Sequence, residues 1–451
     1  WKIDSYNNRK LIYFYDKVVF MLKSIQKNLI LFMVLFFNSS NAFSQPTSVI
    51  CGHLLDVESG EYNKNVFINF DPRTQIISSI DINTNKKPNP QTIDLSNYFC
   101  LPGLIDMHTH ISEASSGDLI EFYTKTQQEQ LKVGRVNAEK TLKAGFTTVR
   151  DLGVYIAWTD KKLRDEINAD KIPGPRMKIS GYYLSIPGGG GDVAVPDYEG
   201  KVPDQIRRGI TKGVENFRVK AEKLVSGGAD QIKLIASGAV LAYGSVPGNP
   251  EMSPEEIAAV VAVAKEANMN VTAHAHGALS IKQAIRSGVN SIEHASLIDE
   301  EGIQMAKEYG VALSMDIYNG DYINEVGIID EWPEEFLRKN RETTDAQREN
   351  FTKAHKAGVK IIYGTDAGVY PHGDNAKQFK YMTKYGMTSI EAIQSATVDA
   401  AEVIGMSDQV GQVKIGFFAD IIAVKKDPVL NIQALENIDV VIKGGKIYKQ
   451  K

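Results

Sequence analysis

The stretch Leu104-Ile105-Asp106-Met107-His108-Thr109-His110 follows a Leu101-Pro102-Gly103 turn signal and predicts a short buried strand that ends in two histidines. Side chains two positions apart on a strand share a face, so His108 and His110 can point at one ligand. Neutral imidazole is a common zinc ligand. Histidines at a strand end are as often hydrogen-bonded core residues, so this stretch alone leaves both interpretations open.

Short apolar segments alternate with helical segments downstream, and this alternation is typical of a parallel sheet with crossover helices. Residues 254–267 predict one such helix, with Ser253 as its N-cap and Glu256 three residues beyond the cap. Residues 321–350 are polar and helix-prone, which indicates an insertion after the seventh strand. The eight strand candidates are 104–110, 147–152, 177–180, 231–236, 271–276, 291–295, 312–317 and 360–365. Eight such units over residues 101–408 predict an α/β fold with a (β/α)8 TIM barrel, whose chemistry lies at the carboxyl ends of the strands.

The sequences on either side of residues 101–408 have a different pattern of apolar residues. Short apolar runs broken by Gly, Asn and Pro predict β-strands, as in Val66-Phe67-Ile68 and Ile421-Ile422-Ala423-Val424. Because these strands bracket the barrel segment, we expect residues 47–100 and 409–451 to form a small β-sandwich domain built from both chain ends.

Composition and charge limit the classes of partner. The 451 residues are 43% hydrophobic and 24% charged, with a formal net charge of −4. This is a globular chain, long enough for one large domain and a smaller one. No bias toward nucleic acid or an anionic membrane is visible. The expected partner is therefore a small molecule or a dipeptide.

Residues 21–44 have the pattern of a secretory signal peptide: a basic start at Met21, a run of nine apolar residues, and small residues before a cleavage site. Cleavage after Ala42 and after Ser44 both fit. Nine apolar residues are too few to span a bilayer, and an uncleaved anchor is the alternative. Residues 1–20 lack an initiator Met and are expected to lie upstream of the true start. Export predicts a periplasmic or secreted protein with no stable membrane span after cleavage.

The only two cysteines are Cys51 and Cys100, and neither has a zinc-finger spacing. An oxidising compartment would permit them to pair. Two separate buried thiols fit the sequence equally well.

Polar residues stand at the carboxyl ends of the fourth, fifth, sixth and eighth strands, and most are of types that commonly bind metals. They are Lys233, His274, His276, His294 and Asp366. Imidazole and carboxylate suit zinc or a similar divalent ion. A lysine inside an apolar strand is costly unless it pairs with an acid or loses its proton. A neutral lysine amine can add carbon dioxide, and the resulting carbamate can bridge two cations. The whole combination, in this chain order, favours a metal centre.

The chain resembles the amidohydrolase superfamily, and within it the imidazolonepropionase-like branch that includes metal-dependent prolidases and Xaa-amino-acid dipeptidases. The resemblance covers nearly everything from Val49 to Lys446. Its motifs here are residues 101–110, Gly145-Phe146-Thr147-Thr148-Val149-Arg150-Asp151, Ile232-Lys233, Ala273-His274-Ala275-His276-Gly277, Ser291-Ile292-Glu293-His294, Gly364-Thr365-Asp366-Ala367-Gly368 and Gly416-Phe417-Phe418-Ala419-Asp420.

This resemblance implies two divalent metal ions, expected to be zinc. It assigns His108, His110 and Asp366 to one metal, His274 and His294 to the other, and a carbamate on Lys233 to the bridge between them. A metal-bridged hydroxide would attack an amide carbonyl. Asp366 would accept its proton and pass it to the leaving nitrogen. His276, on the same face as His274, would contact the substrate.

One motif departs from the resembling dipeptidases. They show Gly-Gly-His-Gly-Asp after the third strand, whereas this chain has Gly190 in place of the histidine. The departure weakens the inference of dipeptide specificity but leaves the metal chemistry intact. His372 and Tyr243 are candidate substrate contacts in its stead. Arg150 and Asp151 suit a structural ion pair as well as a substrate contact.

The leading hypothesis is an exported binuclear metallohydrolase that cleaves an amide, with a dipeptide such as Xaa-Pro as substrate. A hydrolase of cyclic amides, imidazolones or lactones on the same site is the first alternative. A metal-binding protein without turnover is the second. Resembling enzymes are often homo-oligomers, and the sequence leaves the oligomeric state open.

Overall fold

The computed structural model describes residues 46–113, 119–196, 198–200 and 202–451. The predicted upstream segment, 1–20, and signal peptide, 21–44, lie outside the described residues. In the part of the chain that the structure describes, no helix is both long and apolar enough to cross a bilayer.

The strands, numbered along the chain, are β1 (Ser48–Leu55), β2 (Tyr62–Asp71), β3 (Ile76–Asp81), β4 (Thr92–Pro102), β5 (Leu104–Thr109), β6 (Phe146–Asp151), β7 (Arg176–Lys178), β8 (Gln231–Ile235), β9 (Asn270–Gly277), β10 (Ser291–Leu297), β11 (Ala312–Ser314), β12 (Ile361–Ile362), β13 (Ile421–Val424), β14 (Val440–Lys443) and β15 (Lys446–Gln450). Strands β5 to β12 correspond to the eight predicted strands, and each begins within one residue of its predicted start.

The α-helices of the described residues are α1 (Ile120–Thr124), α2 (Gln127–Lys143), α3 (Thr159–Asn168), α4 (Val214–Gly227), α5 (Pro254–Glu266), α6 (Ala278–Ser287), α7 (Glu300–Tyr309), α8 (Asn319–Ile329), α9 (Glu334–Ala357), α10 (Gln378–Lys384), α11 (Ser389–Ser395) and α12 (Val398–Val403). Two 3₁₀ turns lie at Asn375–Lys377 and Ile432–Asn437.

The eight middle strands are parallel and form two sheets, β5-β6-β7 and β8-β9-β10-β11-β12. Parallel bridges link the two sheets at both edges, from Leu184 to Leu234 and from Thr109 to Ala367. The amide of Met107 also donates to the carbonyl of Tyr363 at 2.8 Å. The α/β prediction is confirmed, and all eight strands direct their carboxyl ends toward the same region.

Both chain ends contribute to a third sheet. Its order is β15-β14-β13-β4-β1-β2-β3, so three C-terminal strands extend the N-terminal ones. Cys51 on β1 and Cys100 on β4 form a disulfide, with their Cα atoms 6.2 Å apart. Both cysteines lie in an apolar cluster that draws on both ends of the chain, including Val66 and Ile442. The domain limits proposed from sequence remain a prediction.

Helix α5 shows how the sequence specifies these elements. Ser253 and Glu256 form the predicted capping box, and the helix begins at Pro254. Its buried residues Ile257, Val260 and Ala264 recur at helical spacing and pack in the main apolar core. Full burial of a Val or Ile side chain contributes about 1.5–3 kcal/mol, so this face attaches the helix to the sheet.

The predicted insertion after the seventh strand is helices α8 and α9. Helix α9 is 24 residues long, and its buried face is largely polar. Asn340, Thr343, Thr344 and Gln347 on that face line a cavity at the carboxyl ends of the strands. The insertion therefore forms one wall of the candidate site.

Candidate active site

The six residues predicted to bind metal come together at the carboxyl ends of the parallel strands. Strand β5 ends near His108, and β8, β9 and β10 carry Lys233, His274 and His294. His110 and Asp366 follow β5 and β12 in the connecting loops. All six line the same cavity, and all except His110 are at least nine-tenths buried.

One group contains His108, His294 and Asp366, whose ligand atoms lie within 4.8 Å of one another. Asp366 Oδ1 is 3.2 Å from Nε2 of His108 and 3.2 Å from Nε2 of His110. The Nδ1–H of His110 donates to the Gly153 carbonyl at 2.9 Å, so its other nitrogen faces the carboxylate. The three residues predicted for the first metal, His108, His110 and Asp366, thus lie close together, and His294, predicted for the second metal, adjoins two of them.

Charge coupling in this group is strong in the metal-free chain. Burial alone would raise the pKa of Asp366, but His108 and His110 outweigh it and hold that pKa well below its usual range. Burial would lower the pKa of His110, yet its hydrogen bond to Asp366 raises that pKa to about 9. Burial lowers the pKa of His108 to about 4. The carboxylate is therefore ionised throughout the neutral range.

A second group contains His274, His276 and His294, whose ligand atoms also lie within 4.8 Å of one another. The rings of His274 and His294 have centroids 4.4 Å apart, and His276 stacks on His294 at 4.7 Å. His276 Nδ1 is 2.8 Å from Ser296 Oγ. The structure thus brings the predicted pair together and places His276, predicted to contact substrate, within reach of the same position.

Lys233 lines the same cavity as these groups and is 2% exposed. Burial lowers the pKa of its amine to about 8, although neighbouring carboxylates oppose the shift. A fraction of the amine is therefore neutral near pH 8 and can act as a nucleophile. This is the condition that carbamate formation requires.

Two of these residues hold strained backbone. His294 has φ of 71° and Asp366 has φ of 56°, both in the left-handed region. Such a conformation costs roughly 1–2 kcal/mol for a residue with a Cβ. The amide of Asp366 donates to the carbonyl of His108 at 2.7 Å, which holds it in place.

Several polar residues of the cavity wall that hydrogen-bond to His294, to Asp366 or to each other were not singled out from the sequence. Asp316 Oδ1 accepts from His294 Nδ1 at 2.9 Å, and Asn319 Nδ2 donates to Asp316 Oδ2 at 2.6 Å and to Asp366 Oδ2 at 3.3 Å. Gln347 Nε2 donates to Asp316 Oδ1 at 2.9 Å. Asp316 follows the seventh strand, so the rule that polar residues gather at strand ends could have found it.

Arg150 forms a buried ion pair, but its partner is Glu293 rather than Asp151. Nη2 of Arg150 is 2.6 Å from Glu293 Oε1. Asp151 instead accepts from the amide of Ile111 at 2.7 Å. Arg150 is absent from the residues described as lining the cavity. The structural alternative for Arg150 is therefore the correct one.

The cavity has a volume of about 180 Å³. Its wall is mostly apolar away from the histidines, with aromatic rings among the contacts. The apolar residues include Leu152, Tyr155, Tyr183, Val193, Ile235, Leu241, Trp332 and Phe336. Glu113, 8% exposed, adds a carboxylate beside His110, and burial raises its pKa to about 7. Such a cavity suits a small substrate with an apolar side chain.

Two predicted substrate contacts lie outside this wall. His372 is buried behind His110: its Nδ1 is 3.2 Å from Thr141 Oγ1 and its Nε2 is 3.1 Å from the His110 carbonyl. Tyr243 packs on Phe336, with ring centroids 4.8 Å apart, and Phe336 itself lines the cavity. Direct substrate contact by His372 and Tyr243 stays a prediction.

Gly190 and Gly191 do line the cavity. The amide of Gly190 donates to Glu251 Oε2 at 2.8 Å. A Cβ on Gly190 would lie 2.8 Å from the Cβ of Ala239 and 2.9 Å from its amide nitrogen. The loop thus approaches the Ala239 backbone too closely for a larger residue at position 190.

The chain is similar to known proteins over most of its length. The model of the amidohydrolase family matches residues 99–448. Ochratoxinase of Aspergillus niger is 31% identical over 380 residues, covering 77% of this chain and 75% of that protein. A crystal structure of a Xaa-Pro dipeptidase with bound methionine has 36% identity and a TM-score of 0.82, covering 89% of this chain and 99% of the other. A prolidase complexed with N-methylphosphonate-L-proline has 28% identity and a TM-score of 0.83, covering 90% and 100%.

Proposed function

The chain belongs to the amidohydrolase family and is a hydrolase of amide bonds, and on that premise we propose that it is a binuclear metal-dependent dipeptidase of prolidase-like specificity. One observation carries the proposal. Two groups of three metal-binding side chains share His294, are buried in one cavity, and have Lys233 beside them.

The donor set fits divalent cations. Imidazole nitrogens and carboxylate oxygens are ligands that zinc takes, and within each of the two groups of three they lie within 4.8 Å of one another. We assign one cation to His108, His110 and Asp366, and the other to His274 and His294. A carbamate on Lys233 would bridge them. When bound, the cations would lower the pKa of a water molecule and polarise the scissile carbonyl.

The chain's own residues would handle the proton. Asp366 is an ionised carboxylate whose Oδ2 accepts from Asn319, so its position is held on both sides. It would accept a proton from the attacking water and return it to the leaving nitrogen. Burial lowers the pKa of His276 to about 3, so its ring is neutral and can hydrogen-bond to substrate.

The substrate class is supported by the named relatives and by the cavity. A Xaa-Pro dipeptidase and a prolidase are among the similar structures, and the apolar wall suits an uncharged side chain. Hydrolysis of a cyclic amide or a lactone is the second candidate. Gly190 favours this alternative, because it stands where the resembling dipeptidases have a histidine.

Three further elements belong to the same proposal. The eight parallel strands, linked at both edges, would close as a (β/α)8 barrel around the cavity. The Cys51–Cys100 disulfide supports an exported, periplasmic or secreted location, since disulfides persist in oxidising compartments. Zinc is the proposed metal, and a homo-oligomer is compatible with the fold.

A library of Xaa-Xaa dipeptides, with cyclic amides and lactones alongside, tests the proposal when zinc and bicarbonate are supplied. We expect hydrolysis of dipeptides, with Xaa-Pro among the preferred substrates. Turnover of cyclic substrates alone would replace the dipeptidase assignment with the second candidate. Bound metal without hydrolysis of any amide, ester or lactone would show a binding protein.

A further inference from the structure

A fully buried ion pair lies beneath the candidate metal centre and contacts it at one atom. Glu293 on β10 is 0% exposed, and its Oε1 accepts from Arg150 Nη2 at 2.6 Å, from Ser291 Oγ at 3.1 Å and from Thr272 Oγ1. Its other oxygen, Oε2, lies 3.1 Å from Nδ1 of His108. One carboxylate oxygen is thus saturated, and the second faces the histidine.

The contact with His108 is exclusive. Neither Glu293 Oε2 nor His108 Nδ1 has a well-aligned hydrogen-bond partner among the described residues, so at 3.1 Å each is the polar atom available to the other. A carboxylate paired with a guanidinium is ionised and can only accept hydrogen bonds. Nε2 of His108 also lies 3.2 Å from a carboxylate oxygen, Asp366 Oδ1, but that oxygen lies equally close to Nε2 of His110. Among the described residues, Glu293 Oε2 has Nδ1 of His108 as its one facing donor, so we place the single ring proton on Nδ1.

That proton location has a consequence at the other side of the ring. With Nδ1 protonated, a neutral imidazole has its lone pair on Nε2. Nε2 of His108 is the atom that lies 3.2 Å from Asp366 Oδ1, in the predicted first metal site. Only this tautomer can bind a cation there.

Arg150 also holds the backbone next to the same histidine. Its Nε donates to the carbonyl of Met107 at 2.5 Å, while its Nη1 donates to Ser291 Oγ at 2.9 Å. Arg150 is 2% exposed, so this guanidinium is anchored on strands β5, β6 and β10. It fixes the main chain before His108 and, through Glu293, the ring of His108.

We propose that Glu293 and Arg150 are positioning residues that hold His108 as its Nδ1-protonated tautomer and thereby set the affinity of the first metal position. The inference rests on the proposed function, because it requires a cation to be bound at His108. The partners of metal-binding histidines typically contribute about 10–100-fold to metal affinity.

Glu293→Gln is the sharpest perturbation, since it keeps size and shape. To retain the donor from Arg150, the amide must turn its oxygen toward the guanidinium and its NH₂ toward His108 Nδ1. That nitrogen must then accept, and the proton moves to Nε2. Thr272→Val is the matched control, because it removes a donor to Oε1 while leaving Oε2 facing His108.

The measurement is zinc titration of metal-free protein against a chromophoric chelator. We expect Glu293→Gln to bind one of its two zinc ions about 10–100-fold less tightly than wild type does, and Thr272→Val to stay within about threefold of wild type. Equal affinity in Glu293→Gln and wild type would overturn the inference alone. Wild-type protein that binds no zinc would instead overturn the proposed function.

A second readout observes the ring of His108 in the wild-type protein directly. In metal-free wild-type protein labelled with [¹⁵N]histidine, the ring signals distinguish the two neutral tautomers, and loss of signal in His108→Gln identifies the residue. We expect Nδ1 of His108 to carry the proton. A proton on Nε2 in wild-type protein would overturn the role of Glu293.

Discussion

Adding a single methyl group at Gly190 should destabilise the protein and crowd the cavity. The φ angle of Gly190 lies outside the left-handed region, so Gly190→Ala introduces no backbone strain. The new Cβ would meet Ala239 at 2.8 Å and its amide nitrogen at 2.9 Å. That amide donates to Ser245 Oγ at 2.9 Å, and Gly190 itself is held by Glu251. Moving Ala239 away from position 190 would break its hydrogen bond to Ser245, and moving Gly190 away would break its hydrogen bond to Glu251.

Overpacking of this kind costs about 1–3 kcal/mol. At about 2.1 cal/mol/K per residue, a chain of this length loses roughly 1–3 °C in Tm. Thermal and urea unfolding of Gly190→Ala measure the effect. Gly248→Ala is the matched control, because its Cβ would meet nothing closer than Leu297 Cδ1 at 3.8 Å. Ala239→Gly should restore part of the loss, since it removes one of the two close contacts.

The reasoning is refuted if Gly190→Ala is as stable as Gly248→Ala, or if Ala239→Gly adds the same stability to wild type as to Gly190→Ala. A confirmed result also explains the departure from the dipeptidase motif. A histidine begins with the same Cβ, so it could not replace Gly190 while Ala239 stays in place.

Three other outcomes are expected. Asp366→Asn should keep most of the metal, because Asn tolerates the left-handed backbone. It should lower kcat by about 10²–10⁴-fold. Unchanged kcat at equal metal content would show that Asp366 does not transfer the proton. Burial lowers the pKa of His372 to about 4, so its ring should show no NMR titration between pH 5.5 and 8. Because the folded protein buries the neutral ring, its stability should fall as pH falls from about 6.5 toward 4. An NMR titration midpoint near pH 6.5 would contradict this. Chelation should abolish turnover, and zinc with bicarbonate should restore it; full activity in metal-free protein would reject the metal requirement.

The sequence was informative where local pattern and chemistry coincide. Each parallel strand begins within one residue of its predicted start, because apolar runs bounded by turn residues are a local signal. His274 and Asp366 could be placed in one cavity because polar groups at the carboxyl ends of parallel strands converge. The capping box at Ser253 was likewise readable from spacing alone.

Contacts between residues far apart in the sequence could not be predicted from local sequence patterns. Arg150 and Glu293 are 143 positions apart, so nothing near Arg150 identifies its partner. The pairing of Cys51 with Cys100 depends on β1 lying beside β4. The position of His372 could not be predicted either, because a loop after the last strand can place a side chain in the cavity or behind it. In the structure the ring hydrogen-bonds to Thr141 and to the His110 carbonyl.

Anomalous diffraction at the zinc edge, from crystals grown with zinc and bicarbonate, tests the two-metal centre most directly. We expect two peaks in the cavity, one beside His108, His110 and Asp366 and one beside His274 and His294, with added density on the amine of Lys233. No peak in this cavity, or an unmodified Lys233 beside a single peak, would contradict the binuclear account.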